Sequence, residues 1–274
     1  IGMYTKSGML QEAHAIFQNL LVKDVVSCNA LISGYTEQGC CQEAFECYEW
    51  MQNSGIAPDS VTFICTLKSC TAIGFIGKGL ELYSQIMKFG LFEDMVIGNA
   101  VVDMYVKCGM LSEARKIFSI LSVRDEISWN TLILGYAQRG LCEEAIDCLK
   151  WMQIWGFSPD QVTSVGALRA CSYTGAITQG QEIHAETVKK GFLETDNVIG
   201  NALVDMYANC CMVSEAHKVF KTLLVQDVVS WNAIISGYAQ LGNNEIVFDL
   251  FHKMIEEGKD PDYVTFTILL NTCS

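Results

Sequence analysis

Ser128-Trp129-Asn130-Thr131-Leu132-Ile133 decides the fold, because the same phrase stands at two other places in the 274-residue chain. It returns as Ser27-Cys28-Asn29-Ala30-Leu31-Ile32 and as Ser230-Trp231-Asn232-Ala233-Ile234-Ile235, which sets Asn29, Asn130 and Asn232 101 and 102 residues apart. A sequence that repeats at a fixed period is an array of similar pieces. Each long period divides into three shorter units with related patterns: 25–59, 60–94 and 95–125, then 126–160, 161–196 and 197–227, then 228–262. Their lengths are 35, 35, 31, 35, 36, 31 and 35, and partial units at 1–24 and 263–274 flank them.

Each unit reads as two helices. In 126–160, Ile127, Trp129, Leu132, Ile133 and Tyr136 recur at helical spacing up to Gly140, and Ala145, Ile146, Leu149 and Met152 do so up to Gly156. Pro159-Asp160 punctuates the join, as do Pro58-Asp59 and Pro261-Asp262. Proline disfavours helical geometry in the residue before it, and aspartate caps the helix that follows. A unit this short buries its apolar face only against its neighbours, so the expected fold is all-α, an α-solenoid of stacked helix pairs. It is expected to form one array over 1–274 with no internal boundary and no separate catalytic domain. Half of the residues are apolar and only three are proline, which suits a helical array with an extended interior. No stretch approaches the ~20 apolar residues of a membrane span, and no membrane partner is expected. Ile1-Gly2-Met3-Tyr4 matches Val102-Asp103-Met104-Tyr105 inside a unit, and Ser274 stops twelve residues into another, so the chain reads as a piece of a longer protein.

Thirteen cysteines invite a metal or redox reading that their phases weaken. Cys70, Cys171 and Cys273 share one phase of the repeat, Cys108 and Cys210 another, Cys47 and Cys148 a third, and Cys41 and Cys142 a fourth. Recurrence at matched phases is the mark of small packing residues. There is no Cys-x-x-Cys, Cys40-Cys41 and Cys210-Cys211 are adjacent pairs ill suited to one zinc, and an odd count without framework spacing points to a reducing compartment. His184-Ala185-Glu186 has the His-x-Glu form of zinc deaminases, but no Pro-Cys-x-x-Cys follows it, so Gln181-Glu182-Ile183-His184 reads as a surface segment of a second helix. His14, His217 and His252 lie singly in second helices. No phosphate loop or nucleophile elbow appears. The expectation is a protein that is not an enzyme, with no catalytic residues, metal, cofactor or small-molecule substrate.

Three phrases carry a family resemblance: Asp-Val-Val-Ser-Trp-Asn-Ala-Ile-Ile-Ser-Gly-Tyr-Ala-Gln (Asp227 to Gln240), Ile-Gly-Asn-Ala-Leu-Val-Asp-Met-Tyr (Ile199 to Tyr207) and Gly-Gln-Glu-Ile-His-Ala (Gly180 to Ala185). With the alternation of unit lengths, they make the chain resemble, over its whole length, the plant pentatricopeptide repeat proteins of the P-L-S subclass. The resemblance implies a right-handed superhelix of P units (25–59, 126–160, 228–262), L units (60–94, 161–196, partial 263–274) and S units (95–125, 197–227, partial 1–24). It implies sequence-specific binding of single-stranded RNA in mitochondria or chloroplasts, often as the address-reading part of a cytidine-to-uridine editing factor.

The family reads one nucleotide per unit with the unit's fifth and last residues. Carried over, the pairs are Asn29 with Asp59, Asn99 with Asp125, Asn130 with Asp160, Asn201 with Asp227 and Asn232 with Asp262. A carboxylate only accepts hydrogen bonds, while an amide donates and accepts, which suits a pyrimidine with an imino hydrogen such as uracil. The resemblance implies a preference for uracil, with cytosine second. The second residue of each unit is the family's base-sandwiching position: Val26, Val61, Val96, Ile127, Val162, Val198 and Val229. The long units depart from the pairing, because their fifth residues, Ile64 and Val165, cannot bond to a base edge. The implied footprint is U-x-U-U-x-U-U, read 5′ to 3′. Each assignment has a plainer alternative. The aspartates are also N-caps, the asparagines also tie adjacent helices, and branched apolar residues also suit a helix interface.

A net charge of −13 is the reverse of the basic footprint of a phosphate-binding protein. The units 25–59, 126–160 and 228–262 carry −5, −3 and −4 of it, and many of those acids fall in second helices: Glu43, Glu46, Glu49, Glu143, Glu144, Asp147 and Asp249. With second helices outermost, the groove is less negative than the whole, and Lys6, Lys107 and Arg139 are the cations expected near it. A tetratricopeptide-like protein scaffold is the rival reading; it would hold a 34-residue period, which the 31-residue units do not. A third reading keeps the family and gives the long units the docking of small organellar editing cofactor proteins.

Overall fold

The computed structural model describes residues 1–194 and 197–272. Cys273 and the end of the unit 161–196 lie outside the described residues. Among those residues the chain is seventeen α-helices and two 3-10 turns, with no strand. They group into two compact units, Ile1–Leu132 and Ile133–Ser274. The first holds α1 (Gly2–Lys6), α2 (Leu10–Asn19), α3 (Val25–Glu37), α4 (Cys41–Asn53), α5 (Ser60–Ile73), α6 (Ile76–Lys88), α7 (Met95–Lys107) and α8 (Leu111–Ile120). The division falls within α9 (Glu126–Gln138). The second compact unit holds α10 (Cys142–Ile154), α11 (Gln161–Thr174), α12 (Ile177–Lys189), α13 (Asn197–Asn209), α14 (Val213–Thr222), α15 (Val228–Gln240), α16 (Asn244–Glu256) and α17 (Tyr263–Thr272).

Odd-numbered helices open the repeat units and even-numbered ones follow. Within the first compact unit α3 packs on α4 and on α5, and α5 on α7; within the second, α11 packs on α13, α13 on α15 and α15 on α17. The opening helices start where an aspartate side chain accepts a backbone N–H of the first turn: Asp24 from Ser27, Asp59 from Thr62, Asp160 from Thr163 and Asp227 from Ser230. Such caps stabilise a helix end by about 1 kcal/mol each.

The repeated phrases are core. Trp129 and Trp231 are buried and stand edge-on to Phe118 and Phe220, with ring centroids 4.6 and 4.7 Å apart. Gly79 on α6 and Gly180 on α12 lie so close to Met104 and Met206 that a β-carbon would come within 2.7 and 2.6 Å of their sulfurs, which is why glycine opens that phrase. Cys70 and Cys171 are wholly buried, and burial pushes both thiols up to about 12. Cys41 and Cys142 are buried too, and the twelve described cysteines are free thiols.

One expectation is corrected. Ile183 is buried and His184 half-buried: the His184 Nδ1 lies 2.9 Å from the Tyr207 hydroxyl, and burial lowers its pKa. His14 meets Tyr35 and His217 meets Tyr238 in the same way, at 2.9 and 3.4 Å. These histidines pin a second helix to an opening helix. Glu186 bonds Ser158 and pairs with Lys190. Among the described residues no group of three potential metal ligands is close enough to hold an ion, and no helix is long and apolar enough to cross a membrane.

Candidate functional site

The fifth residue of a unit sits in the second turn of its opening helix, and the last residue caps the next opening helix. Where two opening helices pack side by side, these positions meet. Asn29 Nδ2 donates to Asp59 Oδ1 at 2.8 Å, Asn99 Nδ2 to the two Asp125 oxygens at 3.0 and 3.2 Å, Asn201 Nδ2 to those of Asp227 at 3.2 and 3.1 Å, and Asn232 Nδ2 to Asp262 Oδ1 at 3.0 Å. Asn130 falls in the first compact unit and Asp160 in the second. Asp59, Asp125, Asp227 and Asp262 thus each cap a helix and accept from an asparagine amide, the plainer alternatives named for both residue types. Burial pushes the Asp59 carboxyl up, but the Thr62 N–H, the Asn29 amide and the Thr62 hydroxyl outweigh it and hold the group below the usual carboxylate range. Asp262 is lowered by the Thr265 N–H and the Asn232 amide. At neutral pH these carboxylates are acceptors only.

The asparagine oxygens divide into two classes. Thr62 Oγ1 donates to Asn29 Oδ1, and Thr265 Oγ1 to Asn232 Oδ1, both at 2.6 Å. Ser128 and Ser230 stand at the same position, three residues after the aspartates Asp125 and Asp227 that bind Asn99 and Asn201, but turn their hydroxyls to the carbonyls of those aspartates at 2.8 Å. Asn99 Oδ1 and Asn201 Oδ1 are left buried without a partner, as is Asn130 Oδ1. Thr163 also leaves its hydroxyl without one. An unpaired buried acceptor costs about 1–3 kcal/mol. Those three amides gain from any turn that brings the oxygen to a donor.

The second-position residues lie on the surface. Val26, Val61, Val96, Ile127, Val162, Val198 and Val229 are between 49% and 69% exposed, whereas Leu31, Phe63, Ile97, Leu132, Leu168, Ile199 and Trp231 in the same helices are buried. That exposure weighs against the helix-interface alternative for them. These exposed branched side chains recur once per unit as apolar walls.

In the second compact unit two such walls border a half-open cavity. Val162 and Val198 line a cavity of about 570 Å³ together with Val165, Gln138, Arg169 and Tyr173. Val165 is the fifth residue of its unit and carries no polar group; Arg169 lies one helical turn further on and is exposed. Sequence reading missed this cation, although Lys68 occupies the matching place in the unit 60–94 and was a signal that could have found it. Lys107, expected near the groove, is paired with Asp103 at 2.8 Å. The acids named for the second helices lie on α4, α10 and α16, where Glu49 meets Lys78 at 3.0 Å and Asp147 meets Lys150 at 3.8 Å.

Comparison with known proteins agrees with this repeat geometry. The profile of the PPR repeat family matches residues 23–72, 124–172 and 226–274, and that of the PPR repeat matches 99–124 and 201–228. Among curated relatives from Arabidopsis thaliana, the mitochondrial pentatricopeptide repeat-containing protein At3g09040 is 37% identical over 100% of this chain and 26% of its own length. The pentatricopeptide repeat-containing protein At2g33680 is 36% identical over 100% of the chain and 38% of its own. The chloroplastic At1g15510 is 33% identical over 99% of the chain and 31% of its own. The chain thus spans well under half the length of these relatives. Among solved structures, the pentatricopeptide repeat protein PPR10 in complex with an 18-nt psaJ RNA element superposes with a TM-score of 0.82 at 21% identity, covering 100% of this chain and 40% of that one. At that identity the likeness is one of fold.

Proposed function

We propose, on the premise that this chain belongs to the pentatricopeptide repeat family, that it binds single-stranded RNA and reads bases with the Asn–Asp pairs of five units. The observation that carries the reading is the exposure of all seven second-position residues beside those pairs. Stacking of bases against apolar walls supplies affinity without sequence, and the amide and carboxylate supply selection. The carboxylate accepts from uracil N3–H while the amide N–H meets a neighbouring carbonyl, so uracil is favoured and cytosine comes second.

We further propose that the units follow the P-L-S order over a single array. The chain then serves as the address-reading part of a longer organellar protein, in mitochondrion or chloroplast, that directs cytidine-to-uridine editing. Relatives named for both organelles support the location, and the alternation of 35-, 36- and 31-residue units supports the subclass. In that setting the chemistry belongs to another domain or a recruited protein, and small editing cofactor proteins are the partners to look for.

The test is fluorescence anisotropy of this chain with U-x-U-U-x-U-U and with an RNA carrying purines at the five uracil positions, at low and moderate salt. Preference for the first, lost when Asn99 and Asn232 are changed to serine, is the expected result. Equal or absent binding overturns the proposal in favour of a protein-docking scaffold.

A further inference from the structure

We infer that the long unit 161–196, whose fifth residue cannot read a base, holds a guanine in the cavity between Val162 and Val198 and reads it with the guanidinium of Arg169. The inference rests on the RNA-binding proposal and extends it to a unit that the pairing of fifth and last residues leaves blank. Val162 and Val198 are the second-position residues of consecutive units, so the cavity lies where a base would stand in the array. Its volume of about 570 Å³ falls within the ~300–1,000 Å³ of small-ligand pockets. Residues four apart share a helix face, so Arg169 lines the cavity one turn beyond Val165, and Tyr173 does so one turn beyond Arg169.

The chemistry of the fork selects the base. A guanidinium offers only donors, in a plane, and matches two adjacent acceptors. Guanine presents O6 and N7 side by side, the commonest bidentate partner of arginine. Cytosine has one adjacent acceptor pair, O2 and N3, and ranks second. Uracil and adenine interleave donors with acceptors, so each leaves part of the fork unmatched. Tyr173, largely exposed, offers an aromatic face for stacking at the same cavity. The other long unit has Lys68 in place of Arg169. An ammonium is a point charge without a fork. Unit 60–94 is therefore unselective, and the footprint becomes U-x-U-U-G-U-U.

The test uses the whole chain and four heptamers, U-A-U-U-N-U-U, with each base at the fifth position. The G heptamer binds tightest, roughly fivefold or more over A and U, as one bidentate contact supports. Arg169→Lys keeps the charge and loses the fork. It abolishes the preference for G while leaving affinity for the A heptamer within about twofold. Arg169 is exposed, so neither this change nor Arg169→Gln threatens folding. Equal binding of the four heptamers, a preference for G that survives in Arg169→Lys, or equal weakening of all four in Arg169→Gln, as a phosphate contact gives, overturns the inference. A fifth RNA with a purine at the fourth position separates the two proposals. If uracil is selected there while the fifth position is not, the guanine site alone falls; if no heptamer binds, both fall.

Discussion

Thr62 holds Asn29 by the oxygen: its Oγ1 donates to Asn29 Oδ1 at 2.6 Å, while Asp59 Oδ1 takes the amide N–H at 2.8 Å. Thr265 and Asn232 repeat the arrangement. An amide fixed at both ends shows a base one donor, whereas the amides of Asn99 and Asn201 are held at the nitrogen alone. On the proposed reading, selection of uracil over cytosine is expected to be sharper opposite Asn29 than opposite Asn99. Thr62→Ser is expected to lower that ratio at the first nucleotide by roughly threefold to tenfold, the worth of one hydrogen bond. Serine at this position faces the backbone carbonyl of the capping aspartate at Ser27, Ser128 and Ser230 alike. Ser128→Ala is the control, since it weakens a cap without touching Asn99. Titrations with single-cytosine heptamers check both, and an unchanged ratio in Thr62→Ser sinks the idea.

Val96 and Val229 separate function from stability. Both are more than half exposed, so Val96→Ser and Val229→Ser change unfolding free energy by no more than about 0.5 kcal/mol. Under the proposed stacking role they matter more for binding, because a stacked base contributes about 1–3 kcal/mol. Each change is expected to weaken RNA binding several-fold with an unaltered denaturation midpoint. A drop in stability without a drop in affinity would mean that these residues serve packing after all.

How much of this was legible in sequence depended on whether the signal lay in one unit or between two. The helix pairs were legible because Trp129, Leu132, Ile133 and Tyr136 keep helical spacing and Gly140 ends it. The Asn–Asp positions were legible by resemblance, and their contact follows from opening helices packing side by side. The lock of Thr62 on Asn29 was not, because it spans 33 residues and depends on which way a hydroxyl turns. Exposure of the second-position valines runs against their hydrophobicity, so only the packed helices reveal it. His184 was misread as surface because its partner, Tyr207, lies 23 residues on in the next opening helix.

The histidine pairs make stability depend on pH. Burial holds the pKa of His184 and of His217 below the ordinary 6.5. A histidine with a depressed folded-state pKa binds its proton more readily when unfolded. The stability it contributes is complete above about pH 6.5 and is lost as pH falls through the lower folded value. Melting temperature is therefore expected to fall between pH 7 and 5. In the double variant His184→Gln and His217→Gln, which keeps a polar partner for each tyrosine but does not titrate, the fall is smaller. Identical slopes in thermal melts across that range count against the assignment.

Cys211 occupies a place made for glycine. Its φ is 60°, and Gly109, at the same position of the preceding short unit, has φ 81°. Both close their helices alike: the next residue's N–H reaches back to a tyrosine carbonyl, Met212 to Tyr207 at 2.8 Å and Met110 to Tyr105 at 2.9 Å. This is the bond from beyond a left-handed cap residue to the last helical turn. An L-residue in that conformation carries roughly 1–2 kcal/mol of strain, and glycine returns part of the gain by loosening the unfolded chain. Cys211→Gly is expected to raise the unfolding free energy by about 0.5–1 kcal/mol, seen as a higher urea midpoint at constant slope. Cys211 is exposed, so no lost packing opposes the change. An unchanged or lower midpoint would show that the left-handed turn is relaxed for cysteine here and that the glycine of the sister unit answers another need.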